Sequence, residues 1–402
     1  MIKYELIQKC EEKLKDKFAH LEDIALFNQE KVLNAFKKNN LALRHFTPTN
    51  GYGYGDEGRE TLNKIVADIF GAEQAICSPN IVSGTHALSL CLYGVLRPND
   101  KVLCITGEPY DTMRDIVYGT GNGSLRDFGI EFNAIPLKDN NIDFTLIKEY
   151  LKSNTPKMIY IQRSRGYEWR NAFTIKQIKD AVDMLKDEGF SGCIMLDNCY
   201  GEFIEKIEAT EVGVNLMAGS MIKNLGGGLA HTGGYVVGSA EYVEMVQNRL
   251  TAPSIGGEVG SYVGGYQYFF QGIFLAPHTV LQALKGSLLF GAVLEELGYK
   301  TSPSMDELPG DIIRAIKFNN KDSLISFIQA IQKNSPIDSF VDALPWAMPG
   351  YEDEVIMAAG CFVQGSSIEL SADAPIKPPY IAYMQGGLTY EHLKIVLKNL
   401  TL

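Results

Sequence analysis

The chain has 402 residues, 46% of them hydrophobic and 21% charged, enough to bury a large core and to form two domains. Its 37 basic and 48 acidic side chains leave a formal charge of −11 with no basic run, which argues against nucleic acid or an anionic membrane as partner. The seven cysteines are odd in number, lack CxxC spacing and sit mostly in apolar runs, as expected of core thiols in a reducing cytoplasm.

The N-terminus, Met-Ile-Lys-Tyr-Glu-Leu-Ile-Gln, opens an amphipathic helix rather than a signal peptide, and no apolar run is long enough to span a bilayer. A cytoplasmic location is expected. Leu6, Cys10, Leu14, Phe18 and Leu21 recur at helical spacing, and Val32, Leu33 and Phe36 continue the pattern. Two helices within 2–40 form an arm, here bounded at 1–50, that packs on a partner subunit or caps its own domain.

Residues 46–59 form a glycine-tyrosine loop ending in Arg59, whose guanidinium matches phosphate geometry. The alternative is that Arg59 starts the helix of Glu60–Phe70 and pairs with a carboxylate there. Ser83-Gly84-Thr85-His86 then opens an apolar helix. Small residues leave the first backbone N–H groups free, and the helix dipole favours an anion there, although the same residues also serve as ordinary caps. From Val102 to Phe203 short apolar runs alternate with helical stretches: strands at Lys101–Thr106, Met158–Gln162 and Cys193–Asp197, and a helix at Ile175–Glu188. Such alternation predicts βαβ units and a mostly parallel sheet, with the active site at the carboxyl ends of its strands. Tyr110, Gln162, Arg163, Asp197 and Lys223 all follow such strands.

Ser220-Met-Ile-Lys223-Asn-Leu-Gly-Gly-Gly228 puts a lone lysine after a serine and before three glycines. It lies downstream of Asp197, a carboxylate that ends a buried apolar run. A buried carboxylate without a partner costs roughly several kcal/mol even after the protein relaxes around it. A protonated pyridine nitrogen is such a partner, and a lysine can form an imine. Together they suit pyridoxal phosphate (PLP). A lysine used in this way must shed its charge near neutral pH, and the apolar flanks of Lys223 are expected to help. The bland alternative is a surface lysine. A strand at Gly234–Gly238 follows, then a small-residue loop at 251–258, a long helix at about 276–298, and a smaller domain closed by a helix at about 390–399. Domain limits of 51–285 and 286–402 are expected.

These motifs resemble fold-type I PLP enzymes of the cysteine and methionine metabolism branch. Leu-Asp-Asn-Cys-Tyr-Gly-Glu-Phe, Gly-Ser-Met-Ile-Lys-Asn-Leu-Gly-Gly-Gly and Gln-Gly-Gly-Leu-Thr-Tyr are similar to the methionine gamma-lyase-like, or aluminium resistance protein, group. The resemblance covers nearly the whole chain. It implies an α/β large domain with a mostly parallel sheet and a smaller α+β C-terminal domain. It makes Lys223 the imine-forming lysine and the base at Cα, and Asp197 the pyridinium partner. Ser83, Gly84, Thr85 and Ser220 would hold the phosphate, and Tyr110 would stack on the cofactor ring. Tyr54 and Arg59 match a pair that reaches the phosphate of a neighbouring subunit, implying a homodimer or homotetramer with shared sites. The family's arginine for the substrate carboxylate has no counterpart in the C-terminal domain, where the last arginine is Arg314. Lys377, Arg163 or Arg165 is left for that role. The implied reaction is β- or γ-elimination on cystathionine, methionine or cysteine. Amino transfer, or a PLP-binding stress-response protein with little turnover, is the alternative.

Overall fold

The computed structural model describes residues 2–348, 351 and 353–401. Helices α1 (Tyr4–Lys13) and α2 (Lys15–Lys38) come first, followed by α3 (Glu57–Ile69), β1 (Gln74–Ser78), α4 (Gly84–Val95), β2 (Lys101–Cys104) and α5 (Asp111–Tyr118). Next are β3 (Glu131–Ala134), α6 (Phe144–Leu151), β4 (Met158–Gln162), α7 (Ile175–Asp187), β5 (Cys193–Asp197), β6 (Leu216–Ser220), β7 (Gly234–Gly238) and α8 (Ala240–Leu250). The long α9 (Gln267–Glu296) leads to β8 (Lys300–Ser302), β9 (Ile313–Lys317), α10 (Lys321–Lys333), β10 (Val355–Ala358), β11 (Ser371–Pro375), β12 (Ile381–Gln385) and α11 (Tyr390–Asn399).

Seven strands form one sheet in the order β1-β7-β6-β5-β4-β2-β3. It is mostly parallel, with β7 running against both of its neighbours. β4 and β5 are buried along their whole length, which is why they read as unbroken apolar runs. Successive residues of a strand face opposite sides, so Ile159, Ile161, Ile194 and Leu196 enter one core with α3, α7 and α9. Met158, Tyr160, Cys193 and Met195 enter the other, with α4 and α8. Five antiparallel strands form the second sheet in the order β10-β11-β12-β9-β8.

The helices begin where side chains can cap them. Asp56 accepts the N–H of Arg59 at α3, Thr174 and Gln177 close a capping box at α7, and Thr389 caps α11. Helix α9 begins nine residues before the expected start, because Pro277 lies inside it rather than at its first turn. Phe269 and Phe270 in its first turn are already buried, with Phe270 edge-on to Phe36 of α2. By length and composition alone α9 could cross a membrane, but 67% of its most apolar window is buried inside the protein. The expected boundary at 285/286 falls within α9. All seven cysteines are free and buried.

Candidate active site

A cavity of about 350 Å³ opens where β4, β5 and β6 end and α4 begins. Asp197, the last residue of β5, lines it. One of its carboxylate oxygens accepts the N–H of Cys199 at 3.0 Å, and it makes no ion pair among the described residues. Burial pushes its pKa up; the Cys199 hydrogen bonds and the Lys223 charge pull it partly back.

Lys223 lies just past β6 and donates from Nζ to the Tyr200 hydroxyl at 2.9 Å, 4.0 Å from the ring centroid. The backbone around this pair is fixed from both sides. Asn224 Nδ2 donates to the carbonyls of Tyr200 and Glu202, each at 3.1 Å. Behind Lys223 the chain makes one 3₁₀ turn and reaches Gly227 at φ +56°, where a Cβ would run into the Gly272 carbonyl of α9. Tyr200 itself is held at φ +70°, a conformation that costs a side-chain-bearing residue about 1–2 kcal/mol and marks a constrained position. Burial lowers the Lys223 pKa, but Tyr200, Cys199 and Asp197 raise it by more, so the net shift is upward. The expectation that apolar flanks would neutralise this lysine is therefore not met by the protein alone: its polar neighbours outweigh them.

Ser83 caps α4 by accepting the His86 N–H at 3.0 Å, and Thr85 and Thr112 place their hydroxyls 3.3 Å apart. Ser220, the last residue of β6, is buried beside them. A Cβ on Gly84 would sit 3.3 Å from Ser220 Cβ and 3.4 Å from Cys199 Sγ. Tyr110 stands at the entrance to α5, with its N–H on Gln162 Oε1 at 2.8 Å and its hydroxyl 3.1 Å from that of Tyr351. Ser83, Gly84, Thr85, Tyr110, Asp197, Ser220 and Lys223 all line the one cavity.

This arrangement fits PLP. The N-terminus of α4, lined with small and hydroxyl residues, offers a phosphate its free N–H groups and its dipole. The buried carboxylate of Asp197 lacks a cation, and a primary amine stands in the same cavity. A model of the methionine gamma-lyase family matches residues 3–401. The chain belongs to the methionine gamma-lyase family. It is 50% identical over 378 residues to the uncharacterized protein YnbB of Bacillus subtilis strain 168, covering 93% of this chain and 90% of that one. A solved structure from Listeria innocua, named a candidate cystathionine beta-lyase involved in aluminum resistance, is 48% identical, with a TM-score of 0.96 over 99% of this chain and 98% of that one. A carbon-sulfur lyase involved in aluminum resistance from Clostridium novyi NT is 47% identical, with a TM-score of 0.94 over 98% and 94% of the two chains. The PLP-dependent protein YhfS of Escherichia coli, 16% identical with a TM-score of 0.65 over 94% and 96%, shares the fold.

The three cations expected to bind substrate in this methionine gamma-lyase family member do not line the cavity. Arg163 turns away from the strand end and is consumed by the Phe173 and Gly201 carbonyls, Asn198 and Glu205, at 3.0–3.1 Å. It props the 198–205 segment from below. Arg165 is fully buried and donates to Ser302. Lys377 is half exposed and paired with Asp353. These three positions correct the expectation of a substrate-binding cation, because none of them lines the cavity, although Arg165 keeps Nε and Nη2 without a hydrogen-bond partner among the described residues. Arg59 donates to the carbonyls of Gly53, Gly260 and Glu258, tying two loops together at the start of α3. Tyr54 is 69% exposed on the first of those loops.

Tyr200, Tyr167, Tyr351 and Asp373 line the cavity without having been singled out beforehand. Tyr200 sits in the Asp-Asn-Cys-Tyr-Gly run, so its place three residues after Asp197 was the signal available. The other three come from loops and from the second sheet, which no local pattern links to the lysine.

Proposed function

We propose that the protein is a cytoplasmic PLP-dependent carbon-sulfur lyase that eliminates a thiol from Cβ or Cγ of a sulfur amino acid. What carries this reading is the convergence of Lys223 and Asp197 on one cavity beside the N-terminus of α4, in a chain of the methionine gamma-lyase family. The names of its Listeria and Clostridium relatives point the same way. PLP, when bound, supplies an electron sink that makes a proton on the amino acid's Cα removable and a β or γ thiol expellable.

The chain's own residues do the rest. Ser83, Gly84, Thr85 and Ser220 hold the phosphate. Asp197 keeps the proton on the pyridine nitrogen, because its carboxylate is buried and that cation is its partner. Tyr110 covers the ring. Lys223 would hold the cofactor through its amine, and its Nζ is the group in the cavity that would accept and return the Cα proton. The Tyr200 hydroxyl, already 2.9 Å from Nζ, holds the amine in position. Thiol and keto-acid release from cystathionine, cysteine or methionine tests the reaction, and failure on all three rejects it. Lys223→Ala should abolish both turnover and the visible absorbance of the cofactor imine; an unchanged spectrum would show that no imine forms at this lysine.

The same reading includes a homodimer or larger assembly with sites shared between copies. Tyr52, Tyr54 and Val263 are exposed on two loops bonded to one another through Gly260 N–H to the Tyr52 carbonyl and Ser261 Oγ to the Gly51 carbonyl, and Val82 is exposed next to Ser83. A second copy seated on these residues would bring Tyr54 to its neighbour's cofactor.

A further inference from the structure

Beyond Lys223 the cavity continues to the second sheet, where β11 places Asp373 opposite Tyr383 of β12. The Tyr167 hydroxyl donates to one carboxylate oxygen, and Gln385 Nε2 is 3.5 Å from the other. The Tyr167 ring packs against Tyr383 at 5.0 Å, Tyr351 at 6.0 Å and Tyr110 at 6.1 Å. Four aromatic rings and one carboxylate thus bound this end of the cavity. Asp373 has no ion-pair partner among the described residues, and Lys223 is the sole lysine, arginine or histidine among the described lining residues. Asp373 is only partly exposed, through the cavity it lines, and a carboxylate so removed from bulk water favours a cation or a proton beside it. Aromatic faces attract cations as well. An anionic group arriving here would meet Asp373 with no guanidinium fork to hold it.

We propose that Asp373, with its surrounding tyrosines, determines specificity by selecting amino acids whose side chain ends in an ammonium group. The inference rests on the reading that an amino acid enters this cavity with its α-amino group at Lys223, so that the cation met by Asp373 is a second one. The substrate class is a thioether amino acid with a distal amine, and thioethers ending in an alkyl or a lone carboxylate are disfavoured.

Stopped-flow absorbance of the cofactor-loaded protein, read before turnover, gives affinities for three S-substituted cysteines of similar size: S-(2-aminoethyl), S-propyl and S-carboxymethyl. The aminoethyl compound should bind at least about tenfold more tightly than the propyl one, with the carboxymethyl compound weakest. In Asp373→Asn the aminoethyl-to-propyl ratio should fall to within about twofold. Equal binding of the three by the native protein, no binding of any, or an unchanged ratio in the variant overturns the proposal. If Asp373→Asn does not fold, the native series decides alone. Tight aminoethyl binding without thiol release rejects the lyase reading and leaves this one standing; thiol release without preference does the reverse.

Discussion

Behind Lys223 lies a carboxyl that the proposed chemistry does not use. Glu202 is fully buried, accepts the Tyr235 hydroxyl on one oxygen at 2.6 Å and leaves the other without a partner among the described residues. Burial pushes its pKa up to about 7, against the opposing pull of the Tyr235 hydrogen bond. A raised carboxyl contributes stability that is complete below its unfolded value near 4.5 and is lost as pH climbs through about 7. Full ionisation therefore costs on the order of 3 kcal/mol. Glu202→Gln, which cannot ionise, should gain on the native protein between pH 5 and pH 8, read as a widening difference in urea midpoints. A constant difference would show that Glu202 does not titrate in that window. At this scale the sequence was informative where a residue carries its own local signature: Asp197 closes an apolar strand, Lys223 precedes a glycine run, and Ser83 opens an apolar helix. It was silent on Glu202 and Asp373, whose surroundings are assembled from distant segments. It misplaced Arg163 and Arg165 because position after β4 does not fix which way a side chain turns. Both turn away from the cavity, Arg163 under the 198–205 segment and Arg165 onto Ser302.

Among the elements, β4, β5 and β7 matched their expected spans because strands buried on both faces leave unbroken apolar runs. The start of α9 was misread for an opposite reason. Proline is at home in a first turn, so Pro277 reads as a beginning, yet burial of Phe269, Phe270 and Ile273 carries the helix further back. That extension matters to the site, since it brings Gly272 against the turn behind Lys223. Gly227→Ala meets both the left-handed φ and the Gly272 carbonyl, with the Ala276 nitrogen at 3.0 Å as well. We expect a loss of about 2–4 kcal/mol together with weakened cofactor retention, measured as a lower thermal midpoint and a smaller visible band after dialysis. Full retention would show that the turn tolerates being pushed off α9.

For the whole molecule, the proposed sharing of sites, with Tyr52, Tyr54 and Val263 exposed on the 51–54 and 260–263 loops, predicts a particle of at least twice the 44.4 kDa chain mass. Light scattering on the cofactor-loaded protein should give that mass. A fully active species at the mass of one chain would exclude shared sites. The second domain was foreshadowed by the long helix that follows the alternating strand and helix patterns, although nothing local foretold that one cavity would be walled by both sheets. Asp197 ends a strand of the first sheet and Lys223 lies just past another, Asp373 and Tyr383 belong to the second sheet, and α9 stands between them in the chain. On the proposed reading, the proton-carrying lysine lies in the first stretch and the substrate-selecting carboxylate in the second, although Tyr110 and Tyr167 of the first stretch wall the same end of the cavity. Exchanging residues within 355–385 among relatives would redirect the enzyme to new side chains while keeping its cofactor chemistry intact, a division of labour by which one ancestral catalyst can diversify without relearning how to catalyse.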